Sequence, residues 1–239
     1  MKQIAKGLMI VGAMLAAGAA SCEGFDDITP VIGIDGNWSW MRTKSNGADL
    51  FPKSYWGASP YIGVRWCDFG IEAGYDWMAR RNKSNTFTAG TDVVGDLVPV
   101  GDTWTTRGRA RLDGWHADLL GYLCLDECFD LIGTVGFGWK KPHLSVRVTD
   151  AAGRTASQTL KGKSKGVFRL GAGAQWMVTD MVGLRALVRW ENTSTVKVNN
   201  IVVSSSTIPA IPVGTFPNTG NGRLFRDAVS LSVGAFVRF

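Results

Sequence analysis

Apolar and polar residues alternate along most of the chain, and this period of two predicts β-strands with two different faces. In the segment from Phe69 to Trp77, apolar side chains occupy the odd positions, and glycine or acidic residues occupy the even ones. Each such segment has about ten to thirteen residues, which is enough for a tilted strand to cross a hydrocarbon core of about 25 Å. Eight segments follow this rule, and the alternation begins in them at Ile32, Trp56, Phe69, Trp115, Leu131, Phe168, Leu184 and Val229.

The connections between these segments alternate in length. Three are short, at residues 67–68, 126–128 and 179–181, and four are long, at residues 43–53, 82–108, 141–165 and 192–224. An even number of strands closes into a barrel, and short periplasmic turns with long outer loops are typical of outer-membrane proteins. The predicted fold class is therefore all-β: an eight-stranded antiparallel transmembrane β-barrel with short periplasmic turns and long extracellular loops.

The positions of the tryptophans separate a membrane barrel from a soluble β-sandwich or a lipocalin-like barrel, which also alternate. They lie near the ends of the predicted strands, on the apolar parity, as expected for two aromatic girdles at the levels of the lipid headgroups. A soluble core would place its tryptophans in the middle of the strands. The predicted girdle residues are Trp38, Trp40, Trp56, Trp66, Trp77, Trp115, Trp139, Trp176 and Trp190.

The first twenty residues have the pattern of a secretory signal. Lys2 and Lys6 precede an apolar run over residues 7–20, which is too short to span a bilayer and ends in small residues suited to cleavage. We therefore divide the chain into a cleaved signal peptide, residues 1–20, and an outer-membrane β-barrel, residues 21–239. Residues 19–22 also resemble a lipoprotein box, so Cys22 is either lipidated or a free or disulfide-bonded cysteine.

Composition excludes several classes of function. Only 19% of the residues are charged and the net charge is +6, with the basic residues scattered along the chain, so no nucleic-acid partner is expected. Two histidines and four cysteines without CxxC or HExxH spacing predict neither a metal site nor any other cofactor. Export permits disulfides. Cys124 and Cys128, which flank an acidic turn, form either a disulfide or two unpaired thiols.

The terminal segment from Val229 to Phe239 alternates and ends in phenylalanine. It resembles the C-terminal assembly signal of outer-membrane proteins, and the chain from residue 25 onward resembles the OmpA-like or OmpX-like eight-stranded β-barrel family. The resemblance implies that the barrel-assembly machinery inserts the chain with the help of periplasmic chaperones. It also implies a location in the bacterial outer membrane, among its lipid and lipopolysaccharide, with loops at the cell surface. No peptidoglycan-binding domain is expected after Phe239.

The polar parity of the predicted strands faces the lumen, where an eight-stranded barrel has room for side chains or one small ligand. Mutually compensating ion pairs that plug the barrel are one interpretation, because an unpaired buried charge is costly. A narrow or gated ion path has the same polar lining. Lys140 and Arg238 share this parity with the predicted network, which consists of Asp35, Arg65, Glu72, Asp76, Asp118, Arg169, Arg185, Arg189 and Glu191.

The long loops are the other candidates for function, since binding residues concentrate on such segments. Residues 141–165 carry six basic residues and one acidic residue, a net charge of +5, which suits lipopolysaccharide phosphates or an anionic glycan but equally a solvated mobile loop. Residues 192–224 carry apolar side chains that indicate either strands above the membrane or a partner-binding surface.

Three functions are compatible with these patterns. The first is a structural or surface-interaction protein, adhesin-like, whose loops bind an extracellular ligand. The second is a small-solute or ion channel. The third is a lipid A-modifying enzyme, because His143 and Ser145 resemble the His-x-Ser pair of the lipid A deacylases. No Glu occurs between Ser145 and Glu191, whereas that family places its acid soon after the serine, so the chain is not expected to be an enzyme and no catalytic residue is assigned.

Overall fold

The computed structural model describes residues 28–43, 51–88, 92–93, 96–97, 103–162, 164–193, 198–208, 213–217 and 225–239. These residues form fourteen strands, of which twelve belong to one antiparallel sheet. Within these ranges, the chain has no helix long and apolar enough to cross a membrane. The strands are β1 (Ile28–Thr43), β2 (Ser54–Trp66), β3 (Phe69–Met78), β4 (Arg81–Thr88), β5 (Asp92–Val93), β6 (Asp96–Leu97), β7 (Thr103–Cys124), β8 (Phe129–Thr149), β9 (Thr155–Gly162), β10 (Lys165–Met177), β11 (Val182–Thr193), β12 (Val198–Ser206), β13 (Gly214–Pro217) and β14 (Phe225–Arg238).

A closed ring of eight strands forms the barrel. Its order is β1-β2-β3-β7-β8-β10-β11-β14, and the antiparallel pairing of β14 with β1 closes it. The closing register runs from Val31 opposite Arg238 to Thr43 opposite Phe225. Closure gives every strand of the ring a hydrogen-bonding partner on both sides, as a membrane-spanning sheet requires. The predicted eight-stranded antiparallel barrel is confirmed.

The outside of the ring is apolar and exposed. Ile62 is 63% exposed and Val233 is 59% exposed, although both are large aliphatic residues at the middle of their strands. An exposed apolar surface of this extent indicates contact with lipid. Of the predicted girdle residues, Trp66 and Trp190 are half-buried, and the exposed ones are Trp38, Trp40, Trp56, Trp77, Trp115, Trp139 and Trp176.

Two strands continue far beyond the ring at the end opposite the short turns. β7 and β8 have 22 and 21 residues and stay paired from Cys124–Asp130 to Thr105–Thr149. β4 pairs with the far part of β7, β9 pairs with the far part of β8, and β12 and β13 add to β9. We call this six-stranded part the extension sheet. The loops expected at residues 82–108 and 141–165 are therefore largely strands.

The inner face of the extension sheet is apolar. Leu112 on β7 and Leu144 on β8 belong to one buried cluster with Met41 from β1, Tyr55 from β2 and Ala228 from β14. These residues come from opposite sides of the ring, so the cluster lies across the lumen at its long-strand end. We call it the apolar cap.

Gly33 allows an aromatic ring to lie across the inner wall of the barrel. Gly33 is directly opposite Tyr61, and a Cβ atom at Gly33 would overlap the Tyr61 ring and approach the Ala235 carbonyl oxygen at 2.8 Å. The other face of that ring contacts Arg185, whose Cζ atom is 3.6 Å from the ring centroid. A side chain at residue 33 would therefore disturb the lumen.

We predict that Gly33→Ala lowers the free energy of unfolding by about 1–3 kcal/mol, the usual cost of overpacking. The measurement is the temperature at which the folded, fast-migrating gel band is lost. Gly166→Ala is the matched control, because a Cβ atom there meets nothing within 4 Å. Equal midpoints for the two variants would contradict the role assigned to Gly33.

Candidate functional site

One buried group of charges in the barrel surrounds Arg185 on β11. Its guanidinium donates to both carboxylate oxygens of Asp35 on β1, at 2.9 and 2.8 Å, and to both oxygens of Glu72 on β3, at 2.7 and 2.8 Å. Arg189 donates to Asp35 at 3.3 Å and to the Ser232 hydroxyl at 2.9 Å. β3 and β11 lie on opposite sides of the ring, so this group spans the lumen.

A second group of charges lies nearer the long-strand end. Lys140 pairs with Glu191 and lies 3.5 Å from Asp76. Arg169 is 3.6 Å from Asp76, 3.7 Å from Asp118 and 3.5 Å from Glu191. Each of these side chains is at most 5% exposed, so these acids and bases interact with one another rather than with water.

A hydroxyl and an imidazole complete the second group at Asp76. This carboxylate accepts a 2.5 Å hydrogen bond from the Ser59 hydroxyl and lies 3.3 Å from the Nδ1 atom of His116. Both partners are buried. Asp76 thus contacts side chains from β2, β7, β8 and β10.

The remaining predicted lumen residue, Arg65, lies near the short-turn end. It donates to Asp130 at 2.7 Å, and its Cζ atom is 4.1 Å from the centroid of the Tyr122 ring. Gln175 donates to the same Asp130 oxygen at 2.6 Å. Arg238 does not join the network, because it turns to the β10–β11 connection and donates to the Asp180 carbonyl oxygen at 2.9 Å.

The structure thus brings all nine predicted network residues into three contacting groups. The structure adds five residues that the sequence-based prediction of the network left out: Ser59, Tyr61, His116, Asp130 and Gln175. Their inward-facing positions along the strands could have predicted them. The apolar cap lies at the long-strand end of these groups, and two smaller buried clusters lie among them: one consists of Val31, Tyr61, Met177 and Phe236, and the other of Leu120, Tyr122, Ile132 and Leu187. These groups and clusters join strands on opposite sides of the ring.

The outer face of the extension sheet is basic. Arg107 and Arg109 on β7 and Arg147 on β8 are exposed, and Arg107 is directly opposite Arg147. Within the described ranges, no carboxylate pairs with any of these three arginines. Arg111, in contrast, pairs with Asp113 at 2.6 Å. An unpaired basic face of this kind attracts anions.

The turn between β8 and β9 shows how the chain pairs an arginine locally. Asp150 accepts from the Arg154 side chain at 2.6 Å and from its backbone N–H at 2.8 Å. Burial acts to raise the pKa of the Asp150 carboxyl, but the hydrogen bonds and charge of Arg154 outweigh it and leave that pKa below its usual value. Arg154 therefore belongs to the turn rather than to the basic face.

The His143–Ser145 pair lies on the outer face of β8. Both residues point away from the barrel interior, and Leu144 between them belongs to the apolar cap. His143 is opposite Arg111, and Ser145 is opposite Arg109. In the part of the chain that the structure describes, no carboxylate contacts His143. The arrangement therefore contains no acid that orients the histidine toward the serine, as a hydrolytic triad requires.

Of the two alternatives for Cys124 and Cys128, the structure has two free thiols and not a disulfide. Cys124 ends β7 on the inward parity, where its sulfur contacts Asp68 at 3.9 Å and Arg65 at 3.6 Å, and these contacts turn it away from the following turn. Cys67, between β2 and β3, is the cysteine that is disulfide-bonded. The residue bonded to Cys67 lies outside the described residues. Cys22 and the signal peptide at residues 1–20 lie outside them as well.

Among the described residues, no group of three or more His, Cys, Asp or Glu side chains is arranged to hold a metal ion. The last residue, Phe239, is 64% exposed at the short-turn end, and its N–H donates to the Pro30 carbonyl oxygen at 3.0 Å. The terminal strand is thereby held to the start of the first strand.

Comparison with known proteins identifies the fold. No family model matches the chain, and no curated protein sequence matches it. A major outer-membrane protein of Thermus thermophilus has a TM-score of 0.50 at 10% identity, over 89% of this chain and 99% of that one. Ail of Yersinia pestis, solved with the heparin analogue sucrose octasulfate, has a TM-score of 0.43 at 14% identity, over 89% and 99% of the two chains. Neisserial surface protein A has a TM-score of 0.43 at 16% identity, over 91% of this chain and 100% of that one.

At these identities the likeness concerns the fold alone. Together with the closed ring and its apolar exterior, it identifies the chain as an outer-membrane β-barrel, as the resemblance in the sequence predicted.

We predict that Arg185→Met lowers the free energy of unfolding by about 3–5 kcal/mol, because it leaves the buried Glu72 carboxylate without its partner and Asp35 with only the 3.3 Å hydrogen bond from Arg189. The measurement is the urea midpoint of the protein refolded in detergent micelles. Arg42→Met is the matched control, since Arg42 is exposed on β1. Adding Asp35→Asn and Glu72→Gln to Arg185→Met restores much of the loss if unpaired charge is its cause. No recovery in that triple variant would contradict the assignment.

Proposed function

We propose that this protein is a closed outer-membrane barrel that presents the extension sheet at the cell surface as an interaction surface. The observation that carries the proposal is the contrast between its two polar regions. The charges in the lumen are paired with one another, whereas Arg107, Arg109 and Arg147 on the outer face of the extension sheet have no acidic partner among the described residues. Charge that the fold does not use internally is available for a ligand.

The orientation follows from the asymmetry of the barrel. The connections at one end are short, and the strands at the other end continue well beyond the aromatic girdle. Outer-membrane barrels have short periplasmic turns and long extracellular segments. The extension sheet would then lie outside the cell, and Phe239 would lie on the periplasmic side, where the barrel-assembly machinery and periplasmic chaperones meet the chain.

The filled interior favours a surface role over a channel. Arg185, Glu72 and Asp35 bridge the lumen near its middle, and the apolar cap lies across its long-strand end. A hydrated ion entering this space would have to break buried ion pairs and cross an apolar layer. The position of His143 and Ser145, without an oriented acid, gives no support to lipid A hydrolysis.

We predict that thiol labelling of intact cells reports this orientation. Native Cys124 and Cys128 are exposed at the short-turn end, so a maleimide polymer too large for porins leaves the wild-type protein unlabelled until the outer membrane is permeabilised. The Ser84→Cys variant, altered at an exposed residue of β4, is labelled on intact cells. Labelling of the wild type and not of this variant on intact cells would reverse the proposed orientation.

We predict that the folded protein does not conduct. The mature chain is refolded, its folding is verified by the heat-dependent gel shift, and it is added to a planar bilayer in which a known channel shows openings. A flat current trace is expected. Reproducible discrete openings would refute the closed lumen and favour a small-solute or ion channel, with Glu72, Asp118, Arg185 and Arg189 as the first residues to substitute.

A further inference from the structure

We infer that the outer face of β7 and β8 in the extension sheet binds the phosphate groups of lipopolysaccharide in the surrounding outer leaflet. We call this surface the arginine face: Arg107, Arg109 and Arg147, with Lys141 and His143 at its lower edge. The inference rests on the proposed orientation of the barrel, and it names the partner of the same surface.

The charge on the arginine face is held in place by the sheet. Arg107 and Arg147 are directly opposite each other, so their Cβ atoms lie about 5 Å apart. Like charges in this position repel and destabilise a strand pair. Arg109 lies two residues along β7 on the same face. Three guanidinium groups kept this close, with no carboxylate partner in the described ranges, form a site that an anion with several charges would stabilise.

Neutral hydrogen-bonding side chains lie on both sides of the arginines. On β4, Asn82 is opposite Arg109 and Ser84 is opposite Arg107. On β9, Thr159 is opposite Ser145 and Ser157 is opposite Arg147. Asn82, Ser84 and Thr159 are exposed, and Ser157 is half-buried. Amide and hydroxyl groups beside guanidinium groups suit a ligand that combines phosphates with sugar hydroxyls.

The height of the arginine face selects a lipid over a soluble ligand. Trp115 and Trp139 are directly opposite each other and stack with their ring centroids 4.3 Å apart, which marks the headgroup level on β7 and β8. Lys141 comes two residues after Trp139. At about 3.4 Å per residue and a tilt of about 40°, Arg111 lies about 10 Å above that level and Arg107 about 20 Å above it. This face points sideways, toward neighbouring lipids and their sugars, not toward the space above the lumen.

Two neighbouring arginines outside the face, Arg111 and Arg154, are neutralised by carboxylates. Arg111 pairs with Asp113 and lies over Trp77, with 5.8 Å between its Cζ atom and the ring centroid. Arg154 pairs with Asp150 in the β8–β9 turn. The chain thus neutralises Arg111 and Arg154 and leaves Arg107, Arg109 and Arg147 for a ligand.

The test compares two double variants that each remove two positive charges. Arg107→Gln/Arg147→Gln alters the arginine face, and Arg42→Gln/Arg154→Gln alters exposed residues outside it. The full mature chain is refolded in phospholipid nanodiscs, each preparation passes the heat-shift test, and binding of added lipopolysaccharide is measured by titration. We expect Arg107→Gln/Arg147→Gln to bind lipopolysaccharide about 30-fold more weakly than the wild type, because each surface charge contributes roughly tenfold or less to the affinity. We expect Arg42→Gln/Arg154→Gln to bind lipopolysaccharide within about threefold of the wild type.

Two further titrations test whether the phosphate groups of lipopolysaccharide are what the arginine face binds. Lipopolysaccharide stripped of its phosphates is expected to bind the wild type as weakly as intact lipopolysaccharide binds Arg107→Gln/Arg147→Gln. Equal binding of the stripped and intact forms would overturn the inference, as would equal losses in the two double variants. Heparin is also titrated against the protein in nanodiscs that contain no lipopolysaccharide. Tighter binding of heparin than of lipopolysaccharide would overturn the inference in favour of a soluble polyanion.

The failure of this inference is distinguishable from failure of the proposed function. If Ser84→Cys is labelled on intact cells but lipopolysaccharide binding does not depend on Arg107 and Arg147, the surface role stands and only the partner is wrong. If the labelling places β4 in the periplasm, both are wrong.

Discussion

The structure depends on one constraint: a sheet in lipid must satisfy all its backbone hydrogen bonds internally, so it has to close. The β14–β1 pairing closes the ring at eight strands, and it fixes which parity faces lipid and which faces the lumen. An eight-stranded ring is narrow, so its interior is filled by side chains. Because these side chains are largely polar, they have to pair with one another across the lumen, as Arg185 does with Glu72.

Buried ion pairs contribute less to net stability than their number suggests, because removing each ion from water costs several kcal/mol. Their geometry indicates a second role. Arg185 on β11 joins Glu72 on β3 and Asp35 on β1, and none of these strands is a sequence neighbour of the other two. A register shift by one residue in any of them would turn one of these charges toward lipid. The ion pairs therefore favour one register of the closed barrel over its alternatives.

Much of the barrel was predictable because its strands obey one rule, apolar outward and polar inward. Most of the extension sheet was not, because it obeys the opposite rule. For residues 192–224, strands above the membrane were one of two predicted alternatives, and β12 and β13 lie there. Along β7 the outward residues change from Trp115 to Arg111 and Arg109, while the inward residues change from His116 to Leu112 and Ala110. A prediction based on apolar residues at every second position ends the strand at this point and assigns a loop. The sequence left a disulfide and two free thiols as alternatives for Cys124 and Cys128, because sequence proximity does not show the contacts of the Cys124 thiol with the distant residues Arg65 and Asp68.

The inversion of the pattern has a physical meaning of its own. On both β7 and β8 the inversion falls within a few residues of the Trp115–Trp139 pair. At that level the inward side chains change from polar to apolar, and the outward side chains change from apolar to polar. Below that level the surroundings are apolar, so the polar side chains turn inward and pair with one another. Above it the surroundings are polar, so the sheet buries its apolar face as the cap and turns its arginines outward. One change of environment at the edge of the hydrocarbon thus accounts for both the apolar cap at the long-strand end and the exposed basic face.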